Sequence, residues 1–114
     1  MRTVTINNKI YNVPELTFAH SKFLEQHGVP LRRLIDSDLF FTICSAFVAI
    51  VANTDIEGAD YLLEQHILGG GTLDDIYGAY VTAVTESRFF KKLLENQEKK
   101  TTKKTTNKTV VQTE

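Results

Sequence analysis

The sequence predicts a mainly α-helical fold of the α+β class, in which an N-terminal β-hairpin packs on a small helical domain of four to five helices. Three observations carry this prediction. Apolar and polar residues alternate in TVTINNKIYNV, apolar residues recur at helical spacing further along, and the last residues are rich in lysine and threonine. A chain of 114 residues has the length of one domain. We expect a globular domain at 1–97, with the hairpin at 1–14 and helices at 17–96, and a disordered tail at 98–114.

The hairpin is predicted from the adjacent residues Asn7 and Asn8, because asparagine tolerates the left-handed backbone angles of a two-residue turn. This turn pairs Ile6 with Lys9. One face of the hairpin is then apolar and is formed by Val4, Ile6, Tyr11 and Val13. Pro14 ends the second strand because it has no backbone N–H to donate. An isolated hairpin is only marginally stable, so we expect its apolar face to pack on helices.

Cap and stop residues predict the first two helices. Thr17 caps a helix that ends at Gly28, and PLRRLI forms a short helical piece after it. Asp38 begins a segment that is apolar nearly all round and extends to Ala52. Such a pattern is typical of a helix that is buried on all sides, so we expect this segment to be the central helix.

Two later helices are predicted from start signals in which threonine precedes an acidic residue by three positions. Thr54 and Glu57 fit a capping box, and Thr72 and Asp75 fit a related start of the last helix. The first of these helices has an apolar stripe of Ile56, Ala59, Leu63, His66 and Ile67. The last helix has a stripe of Leu73, Ile76, Tyr77, Tyr80, Ala83 and Val84.

Three consecutive glycines, Gly69 to Gly71, fit either a phosphate-binding loop or a joint between helices. A Walker-type loop needs a lysine that reaches the phosphates, but no lysine follows here before Lys91. The next helix begins with Asp74 and Asp75, whose carboxylates would repel a phosphate. We therefore predict that the glycines end one helix in a left-handed conformation and lead into the next.

No residue pattern indicates catalysis, a metal or a cofactor. His20, His27 and His66 do not show the H-E-x-x-H spacing of a helical zinc site. Cys44, the single cysteine, lies in the most apolar segment and is predicted to be a buried, inert thiol of a protein from a reducing compartment. We expect a protein that is not an enzyme and that has no small-molecule substrate.

The charge of the chain is unevenly distributed. Residues 1–97 hold eight Lys or Arg and twelve Asp or Glu, whereas residues 98–114 hold five Lys and two Glu. An acidic body therefore carries a basic tail, and the low apolar content of that tail predicts disorder. The longest apolar run has 14 residues, fewer than the roughly 20 of a membrane span. The N-terminus lacks the apolar core of a signal peptide, so we expect a cytoplasmic protein without membrane contacts.

Three segments of the chain share a pattern with a known protein family, namely VTINNKIYNVPELTF, FTICSAFVAIVA and EQHILGGGTLDDIYGAYVTAVTESRFFKKL. They resemble the tail assembly chaperones of long-tailed bacteriophages of Gram-positive hosts. The shared pattern is a strand, a turn, an aromatic residue, PEL and a capped helix, followed by an apolar helix, an acidic helix closed by glycines, and a terminal SxFF. The resemblance covers about Thr3 to Leu94. The chain departs from the pattern at Asn8, where glycine is common, and in its long Lys/Thr tail.

The resemblance implies a non-enzymatic role in viral tail assembly. Such chaperones bind the tape measure protein, keep its long helical chain soluble and help recruit subunits of the tail tube. They act in the host cytoplasm and are absent from the mature virion, and some phages make an extended form by ribosomal frameshifting. The expected partners of this chain are therefore the tape measure protein and the tail tube protein.

Two alternatives remain open. The segment KKTTKKTTNK offers five lysines to the phosphates of a nucleic acid, as in a small nucleic-acid-binding adaptor. The body, however, has no basic recognition helix and no aromatic stacking platform, which makes nucleic acid the less favoured partner. The second alternative is a minor structural protein of the phage.

The candidate partner-binding residues lie near the end of the last predicted helix. They are Phe89, Phe90, Lys91, Lys92, Leu93 and Leu94. The apolar stripe of this helix stops here, because Arg88 and Lys91 occupy the positions that would continue it. Two adjacent phenylalanines on a helix cannot both point into one core.

Two interpretations of these residues follow. In the first, Phe90 and Leu94 continue a core stripe while Phe89 packs under the hairpin. In the second, Phe89 and Leu93 form an exposed patch that is flanked by Lys91 and Lys92 and receives the tape measure chain.

Overall fold

Two short strands and five α-helices form the part of the chain that the computed structural model describes, residues 2–104, with side-chain surroundings for residues 2–96. The elements are β1 (Arg2–Ile6), β2 (Lys9–Val13), α1 (Phe18–Gln26), α2 (Phe40–Ala52), α3 (Ile56–Leu68), α4 (Leu73–Glu86) and α5 (Arg88–Lys104). Two 3₁₀ turns, Leu31–Arg33 and Ser37–Leu39, connect α1 to α2. The predicted mainly helical α+β fold with an N-terminal hairpin is confirmed.

The hairpin has the predicted register. Ile6 pairs with Lys9, and the turn residues Asn7 and Asn8 have φ angles of 52° and 65°. Its apolar face packs against α2, α3 and α4. Of the four residues on this face, Val4, Ile6 and Val13 are buried and Tyr11 is half-buried. The alternation of apolar and polar residues therefore predicted correctly which hairpin residues face the core, because the side chains of a strand point alternately to its two faces.

Helix α2 is the predicted central helix. It contacts α1, α3, α4 and β2, and its buried residues are Ile43, Cys44, Ala46, Phe47, Val48 and Ala49. Its start differs from the prediction, which placed it at Asp38. The carboxylate of Asp36 accepts a hydrogen bond from the backbone N–H of Asp38 at 2.9 Å and begins a 3₁₀ turn. Helix α2 follows at Phe40, since this local bond gives the backbone an alternative to the first α-helical turn.

Helix α3 starts one residue later than predicted. Its N-cap is Asp55, whose carboxylate accepts a hydrogen bond from the backbone N–H of Gly58 at 2.8 Å. The predicted capping box with Thr54 at the cap is therefore wrong, because the adjacent aspartate is an equally suitable cap. The predicted stripe is correct for Ala59 and His66, which are buried, but not for Ile67, which is 44% exposed.

The glycines after α3 end the helix as predicted. Gly70 has a φ angle of +98°, and its N–H donates to Ile67 O at 3.0 Å. The N–H of Gly71 donates to His66 O at 2.8 Å. These two bonds form a Schellman motif, in which a left-handed residue satisfies the last carbonyls of a helix. The side chain of His66 then accepts a hydrogen bond from Asn7 N–H at Nδ1 (2.9 Å), which ties this joint to the hairpin turn.

The last predicted helix is two helices in the structure. Helix α4 begins after Thr72, as predicted, and ends at Ser87, and α5 continues from Arg88 to Lys104. The helix thus extends beyond residue 97, where the body was predicted to end, and includes 98–104 of the predicted disordered tail. The rest of that tail, 105–114, lies outside the described residues.

Within residues 2–104, no single helix is long and apolar enough to cross a membrane. The segments Ser37–Ala52 and Ile56–Leu68 reach that length and composition only together, and a bend of 105° separates them.

Candidate partner-binding groove

The position of α5 depends on Ser87, which is 1% exposed. Its hydroxyl donates to the backbone carbonyl of Leu16 at 2.7 Å and accepts from the N–H of Phe90 at 3.2 Å. The backbone at Ser87 is extended, with ψ at 126°. Serine is a favoured N-cap because its hydroxyl satisfies an unpaired N–H in the first turn of a helix. Ser87 therefore ends α4 and caps α5, a role that the sequence interpretation missed.

An ion pair between Arg88 and Glu15 fixes the same junction. The guanidinium Nε lies 2.9 Å from Glu15 Oε2 and Nη2 lies 3.2 Å from Oε1, while the backbone N–H of Arg88 also donates to Oε2 at 3.0 Å. The side-chain and backbone bonds from Arg88 lower the pKa of Glu15. A carboxylate at the first residue of α5 also suits the positive end of that helix. The linker between β2 and α1 is thus tied to the start of α5.

The structure separates the two adjacent phenylalanines. Phe90 is fully buried and belongs to the core, so in this fold it is not an exposed contact for a partner. Phe89 is half-buried, and its ring packs edge-to-face on Phe18 of α1 with a centroid distance of 5.9 Å. Leu93 is half-buried against the core. The predicted exposed patch of Phe89 and Leu93 is therefore only partly exposed.

The other three candidate residues lie on the surface. Lys91 and Lys92 are exposed, and Leu94 is 46% exposed. The Nζ atom of Lys92 lies 3.8 Å from Glu95 Oε1. Lys91 and Leu94 line an open groove. Helix α5 thus contributes one cationic and one exposed aliphatic side chain to this groove.

This groove, with a volume of about 390 Å³, lies between the segment Leu31–Ile35, the end of α4 and the start of α5. It is lined by Leu31, Arg32, Leu34, Ile35, Val84, Thr85, Lys91 and Leu94. Five of these side chains are aliphatic, two are cationic and none is acidic. The volume is within the range of natural ligand-binding clefts. We call this feature the Leu31–Leu94 groove.

A buried hydrogen bond holds the first wall of the groove in place. The hydroxyl of Tyr80 donates to the backbone carbonyl of Leu34 at 2.6 Å, and Tyr80 is fully buried. Burial, with a smaller contribution from Tyr77, raises the pKa of Tyr80, so the hydroxyl keeps its proton as a donor. On the outer side, Arg33 Nε lies 2.7 Å from Asp36 Oδ2. The Leu31–Ile35 segment is thus attached to α4 independently of any partner.

A second cleft contains serine, histidine and aspartate side chains but not the geometry of a catalytic triad. The cleft includes His27, Ser45 and Asp60. The hydroxyl of Ser45 donates directly to the carboxylate of Asp60. In a triad the imidazole lies between the hydroxyl and the carboxylate, so that it can take the proton of the nucleophile.

Three other titratable side chains singled out in the sequence, those of Cys44, His20 and His66, are held in structural contacts. Burial, with a smaller contribution from Asp74, raises the pKa of the Cys44 thiol to about 11, which disfavours the reactive thiolate. The N–H of Thr17 donates to His20 Nδ1 at 3.0 Å, and His66 Nε2 lies 3.1 Å from Thr72 O. Among the described residues, no three His, Cys, Asp or Glu side chains are grouped so that they could hold a metal ion.

Comparison of the chain with known proteins gave no match to a family model, to a curated protein or to a solved structure.

Proposed function

We propose that this chain is a tail assembly chaperone of a long-tailed bacteriophage. It binds the tape measure protein without catalysis and helps to recruit tail tube subunits in the host cytoplasm. The proposal starts from the resemblance of the segments that contain PEL and SRFF.

One observation supports it most directly, namely that these two motifs meet in space. Glu15 and Leu16 of PEL are bonded to Arg88 and Ser87 of SRFF, 73 and 71 positions away in the chain. If the resemblance were a coincidence of composition, the two short motifs would have no reason to contact each other. Their contact therefore favours a resemblance that reflects a common fold.

The Leu31–Leu94 groove gives the proposed function a physical basis. A tape measure protein is a long helical chain with apolar stripes, and it needs those stripes covered before the tube assembles around it. Helical segments are commonly recognised when their apolar face lies in an apolar groove. The groove has aliphatic side chains on both walls, and its first wall is held by the Tyr80–Leu34 hydrogen bond.

The proposal is tested by co-expressing this chain with the tape measure protein of the phage or prophage that encodes it. We expect the tape measure protein to remain soluble and to co-purify with the chain, whereas without the chain it aggregates. The control is a core variant, Phe47→Ala, produced at the same level. If the tape measure protein aggregates both with and without the parent chain, and does not co-purify with it, the proposal is contradicted.

Two further readouts distinguish the alternatives. Salt-dependent binding of DNA by the purified chain, with no effect on the tape measure protein, would favour the nucleic-acid adaptor. Recovery of the chain from purified virions would favour a minor structural protein, since the proposed chaperone leaves before the tail is complete.

A further inference from the structure

We infer that the Leu31–Leu94 groove binds an amphipathic α-helix whose apolar stripe is bordered by Asp and Glu side chains. The identification of this helix as a tape measure segment rests on the proposed function. The chemistry of the helix follows from the groove itself.

The apolar part of the groove has a buried floor and exposed rims. Leu34 and Val84 are 6% and 2% exposed and form the floor. Ile35 and Leu94 are 51% and 46% exposed, and they belong to opposite walls. Large aliphatic side chains left in water on both sides of a cleft favour an apolar partner that enters between them. A helix fits this arrangement, because its side chains at i and i+4 are about 5–6 Å apart on one face.

The charge of the groove indicates the polar residues of the partner. Arg32 is exposed on the Leu31–Ile35 wall, and Lys91 is exposed on the α5 wall. Among the described residues, neither cation has a carboxylate within salt-bridge distance. A helix lying between the two walls would therefore meet a positive side chain on each side of its apolar stripe.

The carboxylates closest to the groove in sequence are bonded to other cations. Asp36 pairs with Arg33, Glu86 with Arg2, and Glu95 with Lys92. Lys91 does attract Glu15 and Glu86 over a longer distance, but Arg88 and Arg2 already bind these two carboxylates directly. Arg32 and Lys91 can therefore pair with carboxylates of a partner, although the body is acidic elsewhere. Charge complementarity favours a partner that has Asp or Glu side chains at these positions.

The test uses the full chain and three synthetic peptides of about 18 residues, long enough for a helix to form. The first peptide has a leucine stripe bordered by glutamates, the second replaces the glutamates with lysines, and the third replaces the leucines with serines. We expect the glutamate-bordered peptide to bind. The lysine-bordered peptide should bind about tenfold more weakly, because each exposed ion pair changes affinity by up to about fivefold. The serine peptide should not bind.

Variants of the chain locate the binding site. We expect Ile35→Ser combined with Leu94→Ser to weaken binding of the glutamate-bordered peptide at least about tenfold. Phe41→Ser serves as the matched control, because Phe41 is 75% exposed and lines the other cleft. Unchanged far-ultraviolet circular dichroism and melting confirm that both variants are folded.

Charge-reversal variants distinguish direct contacts of Arg32 and Lys91 with the peptide from attraction by the net charge of the chain. Arg32→Glu combined with Lys91→Glu should reverse the preference, so that the lysine-bordered peptide binds better. Lys99→Glu combined with Lys100→Glu changes the net charge equally, but at the basic end of the chain, and should keep the original preference. Equal binding of both peptides by the parent, or a reversal by the Lys99 and Lys100 variant, would overturn the inference.

Two outcomes distinguish this inference from the proposed function. If the tape measure protein co-purifies equally with the parent and the groove variants, the groove assignment fails and the chaperone function stands. If the peptides bind as expected but the tape measure protein does not co-purify, the groove assignment stands and the chaperone function fails. A groove variant that changes the sedimentation of the free chain would identify the occupant as a second copy and would also overturn the inference.

Discussion

The hydroxyl of Ser87 donates a hydrogen bond of 2.7 Å to the backbone carbonyl of Leu16, a residue 71 positions earlier in the chain. The same hydroxyl caps α5 by accepting from the N–H of Phe90. One buried side chain therefore ends α4, starts α5 and joins both to the linker that precedes α1. The direction of α5, and with it the second wall of the Leu31–Leu94 groove, depends on this contact.

Replacement of Ser87 by alanine should destabilise the fold by about 1–3 kcal/mol, because a buried carbonyl loses its donor and a helix loses its cap. The measurement is the free energy of unfolding by urea. Thr85→Ala is the control, since Thr85 is exposed and its hydroxyl bonds only one turn back, to Thr82 O. That variant should remain within about 0.5 kcal/mol of the parent. Equal stability of the Ser87 and Thr85 variants would show that the junction does not depend on the hydroxyl.

Phe47 tests the central position of α2. Its side chain is fully buried and packs edge-to-face on Tyr80 at a centroid distance of 5.6 Å. Phe47→Ala should cost about 3–5 kcal/mol, because removal of a buried aromatic ring leaves a cavity. Phe41 lies on the same helix, but its side chain is 75% exposed. Phe41→Ala should therefore lower the free energy of unfolding by about 0.5 kcal/mol or less. Thermal melting of the two variants provides the comparison, and a Phe47 variant that melts with the parent would contradict a central α2.

Truncation tests the end of the folded body. Residues 98–104, EKKTTKK, form the last part of α5 but include no apolar side chain. A chain that ends at Gln97 should therefore melt at nearly the temperature of the full chain, since the apolar residues removed from 98–114 are only Val110 and Val111, too few to offset the entropy cost of ordering that segment. A large decrease in melting temperature would show that residues beyond Gln97 stabilise the body.

Acidification should weaken the junction between Glu15 and Arg88. Hydrogen bonds from the side chain and then the backbone of Arg88 lower the pKa of Glu15 below its ordinary value of 4.5. The stabilisation is therefore fully present above that ordinary pKa and is lost as the pH falls through the lowered pKa. Arg88→Gln should melt slightly below the parent at neutral pH, and the difference should shrink in acid. Lys92→Gln, which removes the same charge from a long exposed contact, should not show this pH-dependent difference.

The hairpin could be predicted in full because its causes are local. Alternating side chains and two asparagines in the turn determine which residues pair and which face the core. The glycine joint after α3 was predictable for the same reason, since a left-handed residue at Gly70 is a requirement of the backbone rather than of its neighbours. The start of α3 was missed because Thr54 and Asp55 are both good caps, and local sequence alone does not choose between them.

The break at Ser87 and the groove could not be predicted, because their causes are tertiary. The segment TESRFF contains no glycine or proline, and the partner of the Ser87 hydroxyl is distant in sequence. Half of the groove belongs to the Leu31–Ile35 segment, which reaches α4 through the bond from Tyr80 to Leu34. Sequence reasoning placed Lys91 and Leu94 among the candidate residues, but it could not supply the opposite wall with Arg32 and Ile35.

Two glycine-to-alanine substitutions test whether His66 anchors the hairpin turn. A Cβ atom added at Gly71 would lie 2.3 Å from His66 Nε2. The ring would have to move, and it would lose its contacts with the Asn7 N–H and with Thr72 O. Gly71→Ala should therefore destabilise the fold by about 1–3 kcal/mol, as overpacking of a buried site does.

Gly78 provides the matched control for this substitution. It lies within α4, and apart from its chain neighbours and the adjacent backbone of its own helix, a Cβ atom there would meet no atom within 4 Å. Gly78→Ala should stabilise the fold by about 0.5–1 kcal/mol, because alanine loses less backbone entropy than glycine in a helix. Urea unfolding of the two variants should thus move in opposite directions. Amide hydrogen exchange at Asn7 should accelerate in the Gly71 variant alone, and unchanged exchange there would show that His66 does not hold the hairpin turn.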